Sequence, residues 1–333
     1  MRTPPLFLLM ASCTLLGCQD PAPAPPAEPR TLAGVSPGKG DAPQEGIQDF
    51  FFKDHDLPGS LEASGISVLP GDRQVTIVLD NDPAALLGLA REPHVFESLS
   101  LKEATFEDED PPDFDDQAYE GLTFDPITQE YYALVEAQGK RNRPRIDRYD
   151  RQWRWLGSQD VKFDFETPNK GMEGLAHVWF DGELHLLMLC EENACNEDGE
   201  PGQGRIEVFA LEKDRWEKVD RIKLPKEVEF EDYSGLDVRA DQIVVTSQES
   251  SAFWVGALTL EVDDGKPDWK IQEDGQVWRM PEDEDGRAVY CNVEGVSISD
   301  ARTFYLVSDQ RKTTQPSRCK SRDQALHRVV LPR

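Results

Sequence analysis

An all-β chain closed into one ring of repeats is predicted from three observations. A short glycine motif recurs, a β-rich run follows each copy at a nearly fixed distance, and long amphipathic helical patterns are absent. The motif reads ASGISVL from Ala63, YEGLTFD from Tyr119, MEGLAHV from Met172, YSGLDVR from Tyr233 and VEGVSIS from Val293. Its glycines, Gly65, Gly121, Gly174, Gly235 and Gly295, are separated by 56, 53, 61 and 60 residues.

Each unit is expected to open with the motif strand. The second strands are QVTIVLD ending at Asp80, EYYALVE at Glu136, LHLLMLCE at Glu191, QIVVTSQ at Gln248 and TFYLVSD at Asp309. Third strands are expected at PHVFESLSL, RIDRYD, GRIEVFALE, AFWVGALTL and ALHRVVL, and fourth strands at QWRWLGSQDVKF, RWEKVDRIKL and DGQVWRM. Their alternation and their Val, Ile, Phe, Tyr and Trp content suit half-buried strands. Four antiparallel strands in a unit of about 55 residues make a propeller blade. The last unit is a strand short, with 39 residues from Gly295 to Arg333, whereas 18 run from Ile47 to Ser64. The segment IQDFFFK (Ile47 to Lys53) supplies the missing strand and leaves no major open edge. The expected fold is therefore a single five-bladed β-propeller with four-stranded antiparallel blades over residues 47–333, closed by an N-terminal strand.

The 333 residues carry 36 Lys and Arg against 64 Asp and Glu, a formal charge of -28. Such a balance argues against nucleic acid and anionic membrane surfaces as partners and favours divalent cations. Arg2, the apolar PLFLLMASCTLLG and the ending LLGC (Leu15 to Cys18) resemble a bacterial lipoprotein signal. The resemblance implies a signal peptide over residues 1–17 and a lipidated Cys18; a conventional signal peptide is the alternative. Residues 18–46 are rich in Pro, Ala and Gly and are expected to be an extended tether. The expectation is a monomer anchored through lipid in the bacterial cell envelope, on its periplasmic face or surface. Four further cysteines suit an oxidising compartment, with Cys190 paired to Cys195 across CEENAC and Cys291 to Cys319.

Glu-Gly-Leu/Val entering a strand, followed by a strand ending near SD or SQE, resembles the SdiA-regulated and phytase-like-esterase group of exported propellers. More distantly it is similar to calcium-dependent lactonase propellers, whose first blade opens with Glu-Gly. The resemblance spans residues 47–333 through motifs of a few residues each. Ser64 and Ser234 stand where an acidic residue is expected, so a full metal ring is not implied.

Antiparallel pairing sets the end of each second strand beside the start of the first. Ser64 and Asp80, Glu120 and Glu136, Glu173 and Glu191, Ser234 and Gln248, and Glu294 and Asp309 should therefore share one channel mouth. Carboxylates so crowded either hold protons or gather a cation, and calcium accepts oxygen ligands of this kind. Glu120, Glu173 and Glu294, with Glu136 and Asp309, are the candidate metal ligands; the alternative is plain solvation. Two loops on the same face carry Lys140, Arg141, Arg143 and Arg145, and Arg311, Lys312, Arg318, Lys320 and Arg322. They suit a small anionic ligand, of which Lys140, Arg141, Arg143, Arg145, Arg311 and Lys312 are the candidate contacts. The alternative is salt bridging to the acidic loop Phe106 to Asp116. No nucleophile elbow, metalloprotease helix or phosphate loop is present. His55 and His94 fall in or beside loops, while His177, His185 and His327 fall in strands and read as packed. Two functions follow: a binding protein for ligands or envelope proteins at an acidic, calcium-loaded mouth, or a calcium-dependent hydrolase of phosphoesters, esters or lactones.

Overall fold

The regular structure is almost entirely strand, because the alternating, β-branched and aromatic runs above bury one or both faces. A computed structural model describes residues 40–41, 46–57, 61–69, 71, 73–80, 82–92, 95–106, 118–136, 143–163, 165, 171–195, 199–263, 266–272 and 274–333. All of these belong to one compact unit, Ser36–Arg333. The expected signal peptide, the lipidation site Cys18, Lys140 and Arg141, and the acidic loop beyond Phe106 lie outside the described residues.

Strands β1 (Gly40–Asp41) and β2 (Ile47–Phe51) join sheets formed later in the chain. The first sheet is the antiparallel run β3 (Ala63–Val68), β4 (Gln74–Leu79), β5 (Asp82–Glu92) and β6 (Val95–Lys102). Next come β7 (Tyr119–Asp125), β8 (Glu130–Val135), β9 (Arg145–Asp150) and β10 (Trp155–Lys162). The following run is β11 (Met172–Phe180), β12 (Glu183–Cys190), β13 (Arg205–Glu212) and β14 (Arg215–Lys223). After it stand β15 (Gly235–Arg239), β16 (Gln242–Ser247), β17 (Ala252–Asp263), β18 (Lys266–Ile271) and β19 (Gln276–Arg279). The last are β20 (Val293–Asp300), β21 (Thr303–Ser308) and β22 (Ala325–Val330).

Strand β2 pairs antiparallel with β22, Ile47 opposite Val329 and Phe51 opposite Ala325, so the N-terminal strand completes the last sheet. Asp49 fixes this junction: its carboxylate bonds His327 Nδ1 at 2.8 Å, and His327 Nε2 lies 2.8 Å from Ser308 Oγ. Three details differ from the expectation. The third strand of the first sheet is β5, not PHVFESLSL, whose core is β6; DPAALLGLARE has the Ala and Leu content of a helix and is made a strand by pairing with β4 on one side and β6 on the other. The two middle runs are fused into one eight-stranded sheet, because β10 and β14 pair in parallel through Val161 with Trp216 and Lys162 with Glu217. The fourth unit carries two additions: β18 folds back on the far half of β17, and β1, from within the expected tether, pairs in parallel with β19.

Among the described residues, five apolar clusters lie between consecutive units, and one of them closes the circle. Ile66 and Ile77 of the first sheet pack with Tyr305, Val307 and Leu326 of the last. Val78 packs with Leu122 and Tyr131, Leu134 with Leu175 and Met188, Leu187 with Leu236 and Trp254, and Val244 with Phe304 and Leu306. Each such side chain contributes about 1.5–3 kcal/mol on burial, so these interfaces hold the sheets in cyclic order. The innermost strands β3, β7, β11, β15 and β20 touch in the same order, with β20 returning to β3.

Two disulfides, Cys190–Cys195 and Cys291–Cys319, staple loops on one face.

Candidate functional site

In four of its five copies the recurring motif carries a β-bulge, while β15 pairs from Gly235 onward without a shift. Tyr119 faces Val135 and Gly121 faces Leu134, which leaves Glu120 as an extra residue on β7. Glu173 stands in the same place between Met172 and Gly174, and Glu294 between Val293 and Gly295. In β3 the register also shifts between Ala63 and Ile66. A bulge re-aims the extra side chain without breaking the strand. The glycine after it is required by contact with the neighbouring strand. A β-carbon on Gly65 would lie 2.6 Å from the carbonyl carbon of Gly121, one on Gly121 2.8 Å from Leu175 N, and one on Gly174 2.7 Å from Leu236 N. One on Gly235 would lie 2.8 Å from Glu294 O, and one on Gly295 would strike Ser64 O. Each motif thus presses on the next, and the fifth on the first.

The second strands end in register with this arrangement. Backbone bonds run from Asp80 N to Glu62 O at 2.7 Å, Glu136 N to Ala118 O at 2.9 Å, Glu191 N to Gly171 O at 3.1 Å and Asp309 N to Asn292 O at 2.9 Å. As a result, all ten residues of the five expected pairs line a single cavity of about 210 Å³. Glu62, Asp232 and Lys312, which the motif does not flag, line it too, giving nine carboxylates and one ammonium. Oxygens of Glu136, Glu173 and Glu191 lie within 4.8 Å of one another, close enough to share one cation.

The polar neighbours tie the ring of carboxylates together. Ser64 Oγ donates to Glu120 Oε2 at 2.8 Å. The Gln248 amide donates to Glu294, Gln310 Nε2 donates to Glu62 Oε1 at 2.5 Å, and Ser247 Oγ donates to Asp232 Oδ1 at 2.5 Å. Burial pushes Glu120 up to about 7, reinforced by the Glu136 charge and opposed by Ser64 and Glu173. Burial and the charges of Glu120, Glu191 and Glu136 hold Glu173 well above the usual carboxylate range. Glu294 is also held well above it by burial, against the opposing Lys312 charge. Burial raises Asp309 to about 7, opposed by the Gln310 amide. Negative charge is crowded here, so a hard cation with oxygen ligands fits this donor set.

The basic residues divide. Lys312 reaches the acidic cavity and also lines a neighbouring one of about 460 Å³. Arg311 shapes its own loop, donating to Lys312 O at 3.1 Å and Gln315 O at 2.6 Å. Arg145 is turned to the buried Asp147, with Nε 2.8 Å from Oδ1, and neither it nor Arg143 lines the acidic cavity.

No family model matches the chain, and no curated protein matches it. Solved structures similar to it include the PQQ-bound aldose sugar dehydrogenase of Streptomyces coelicolor, at 11% identity, 90% of this chain, 100% of that chain and a TM-score of 0.41. A GH43_1 enzyme from Xanthomonas citri complexed with xylose is similar at 9% identity, 86% of this chain, 91% of that chain and a TM-score of 0.48. A glucose dehydrogenase-like oxidoreductase of Thermus thermophilus is similar at 14% identity, 86% of this chain, 100% of that chain and a TM-score of 0.41. None of these likenesses reaches a TM-score of 0.5, so the fold and the site rest on the topology and contacts above.

Proposed function

We propose that the chain is a five-bladed β-propeller lipoprotein, anchored through Cys18 in a bacterial envelope, whose acidic mouth holds calcium and takes an anionic ligand beside Lys312. The observation that carries this reading is the single cavity in which nine carboxylates face one lysine. Left bare, such a cavity keeps several carboxyls protonated near neutral pH; a divalent ion removes that cost. Glu136, Glu173 and Glu191 are the first ligands, with Glu120 and Glu294 behind them. The disulfide at Cys190 adjoins Glu191, and the one at Cys319 closes the loop bearing Lys312, so both preorganise the mouth.

Calorimetric titration of the full chain with calcium tests this. We expect one binding event, weakened about tenfold or more by Glu173→Gln, a loss of roughly 1.4 kcal/mol. No heat of binding at millimolar calcium, with the chain folded, would refute it. The specific observation favouring an enzyme is that the mouth holds more carboxylates than one ion coordinates, leaving one as a base for ion-activated water. Chelator-sensitive hydrolysis of phosphoesters, esters or lactones is the outcome that would select the hydrolase over the binding protein.

A further inference from the structure

A cavity of about 940 Å³ shares no lining residue with the acidic one. Its walls include Glu130 and Glu183, the first residues of β8 and β12, whereas Glu136 and Glu191 of the mouth directly follow the last residues of those strands. It therefore opens on the face away from the mouth. Its size falls within the range of small-molecule sites, about 300–1,000 Å³. The added strand of the fourth unit, β18, touches β14 and brings Pro267 into the wall. Trp179 and Leu184 are half-buried there, while Leu211 and Val219 leave 44% and 46% of their surface exposed. Apolar wall left open to water in a concave site is what the body of a ligand covers.

The polar groups of this wall divide into those already engaged and those left over. Arg148 holds Glu130 through Nε at 3.0 Å and Nη2 at 2.8 Å, and Gln159 Oε1 accepts the Trp216 indole N–H at 3.1 Å. His185 is only 4% exposed, yet it lines the cavity. Its Nδ1 lies 3.3 Å from Glu183 O, a contact that puts the ring hydrogen on Nδ1. Nε2, which has no hydrogen-bond partner among the described residues, is then an acceptor. Burial lowers the His185 pKa against the opposing bond and charge of Glu183, so the ring is neutral at pH 7. The register of His185 with Ala210, continued by two residues, sets Glu183 opposite Glu212, and both line the cavity. Like charges so placed repel. Arg215, on the other side of Glu212, is turned to Glu217 at 3.2 Å. Asp220 adds a further carboxylate. With Glu130 matched by Arg148, Glu183, Glu212 and Asp220 have no ion-pair partner among the described residues.

We propose that this cavity binds a small aromatic amine in its protonated form. The ring covers the open apolar wall of Trp179, Leu184, Leu211 and Val219, and the ammonium lies at Glu183 and Glu212, where it donates to both and relieves their repulsion. A ring N–H donates to His185 Nε2. The indole of Trp179, held by its own N–H to Asp125 Oδ1 at 3.1 Å, adds an aromatic surface that attracts a cation. A ligand of the same shape carrying a carboxylate meets three carboxylates and an acceptor nitrogen, so charge and not the ring alone decides what enters.

The test is calorimetric titration of the full chain with tryptamine, with indole-3-propionate as the matched anion, each in calcium and in EGTA. We expect tryptamine to bind with the same affinity in both buffers, and the anion about tenfold or more weaker. Glu183→Gln combined with Glu212→Gln should weaken tryptamine about fivefold or more, and Leu211→Lys about tenfold or more. All three side chains are exposed, and melting curves establish that the variants are folded. The proposal is overturned if the folded chain takes up no tryptamine at millimolar concentration, if the anion binds as tightly, if calcium displaces the amine, or if neither variant weakens it. The two cavities share no lining residue, so failure here leaves the calcium reading standing, and failure of calcium binding leaves this one standing.

Discussion

Gly174 is a place where a sequence motif and the site meet in close contact. Its missing side chain is the space taken by the backbone of Leu236, and the residue before it, Glu173, is the most crowded carboxylate of the mouth. Gly174→Ala forces either β11 or β15 to move by several tenths of an ångström. We expect about 1–3 kcal/mol of lost stability by denaturant unfolding, with weaker calcium binding because Glu173 shifts too. A cost under about 0.5 kcal/mol, the scale of a surface change, would show that the motif glycines do not set the spacing. At this scale the sequence reveals much: the pairing of Glu120 with Glu136 or Glu294 with Asp309 follows from strand polarity alone. It does not reveal Glu62 and Asp232, which lie outside the motif and enter the cavity from the residues just before β3 and β15. Nor does it reveal His185, which reads as a packed strand residue until the fold sets it in a cavity wall.

Among the elements, β2 is the one on which ring closure depends, and Asp49 is its anchor. His327 is fully buried, and Asp49 binds both it and Arg322, whose Nε lies 3.3 Å from Oδ2. Asp49→Ala leaves a buried imidazole and a guanidinium without their shared carboxylate, for an expected loss of about 3 kcal/mol. Burial by itself would raise the Asp49 pKa, yet the bond and charge of His327, with Arg322, outweigh it and hold it below the ordinary 3.8. The stabilisation is therefore fully present above the unfolded value and disappears as pH falls through the folded one. Thermal melts of parent and variant should differ at pH 7 and converge only in strong acid; equal melting temperatures at pH 7 would remove Asp49 from ring closure. Strands rich in β-branched and aromatic residues, such as β4, β8 and β16, are legible from sequence because their propensity favours extended chain. Strand β5 is not, since Ala-Ala-Leu-Leu favours helix and only its two neighbours make it extended. The fusion of β10 to β14 is equally hidden, because a two-residue parallel contact between units depends on how the units pack.

For the whole molecule, the surplus of 28 negative charges and the nine carboxylates of one cavity act in the same direction. Glu120 and Asp309 titrate near 7 in the folded chain, whereas unfolded Glu and Asp titrate near 4.5 and 3.8. Between those values the folded state binds more protons than the unfolded one, so stability falls as pH rises through the window and stays low above about 7. A calcium ion held at the mouth, as proposed above, would reverse the sign of the problem, because it would bind the ionised carboxylates and only in the folded state. We expect the Tm of the chelated chain to drop by about 5 °C or more between pH 5.5 and pH 8, and millimolar calcium to recover most of that drop at pH 8 while adding little at pH 5.5. Sodium at matched ionic strength should recover far less, because it screens the carboxylates without being held by several of them at once. A chelated Tm that is flat or rising across this range, or a calcium effect equal at both pH values, would mean that the mouth carries its charge without strain and has no need of an ion.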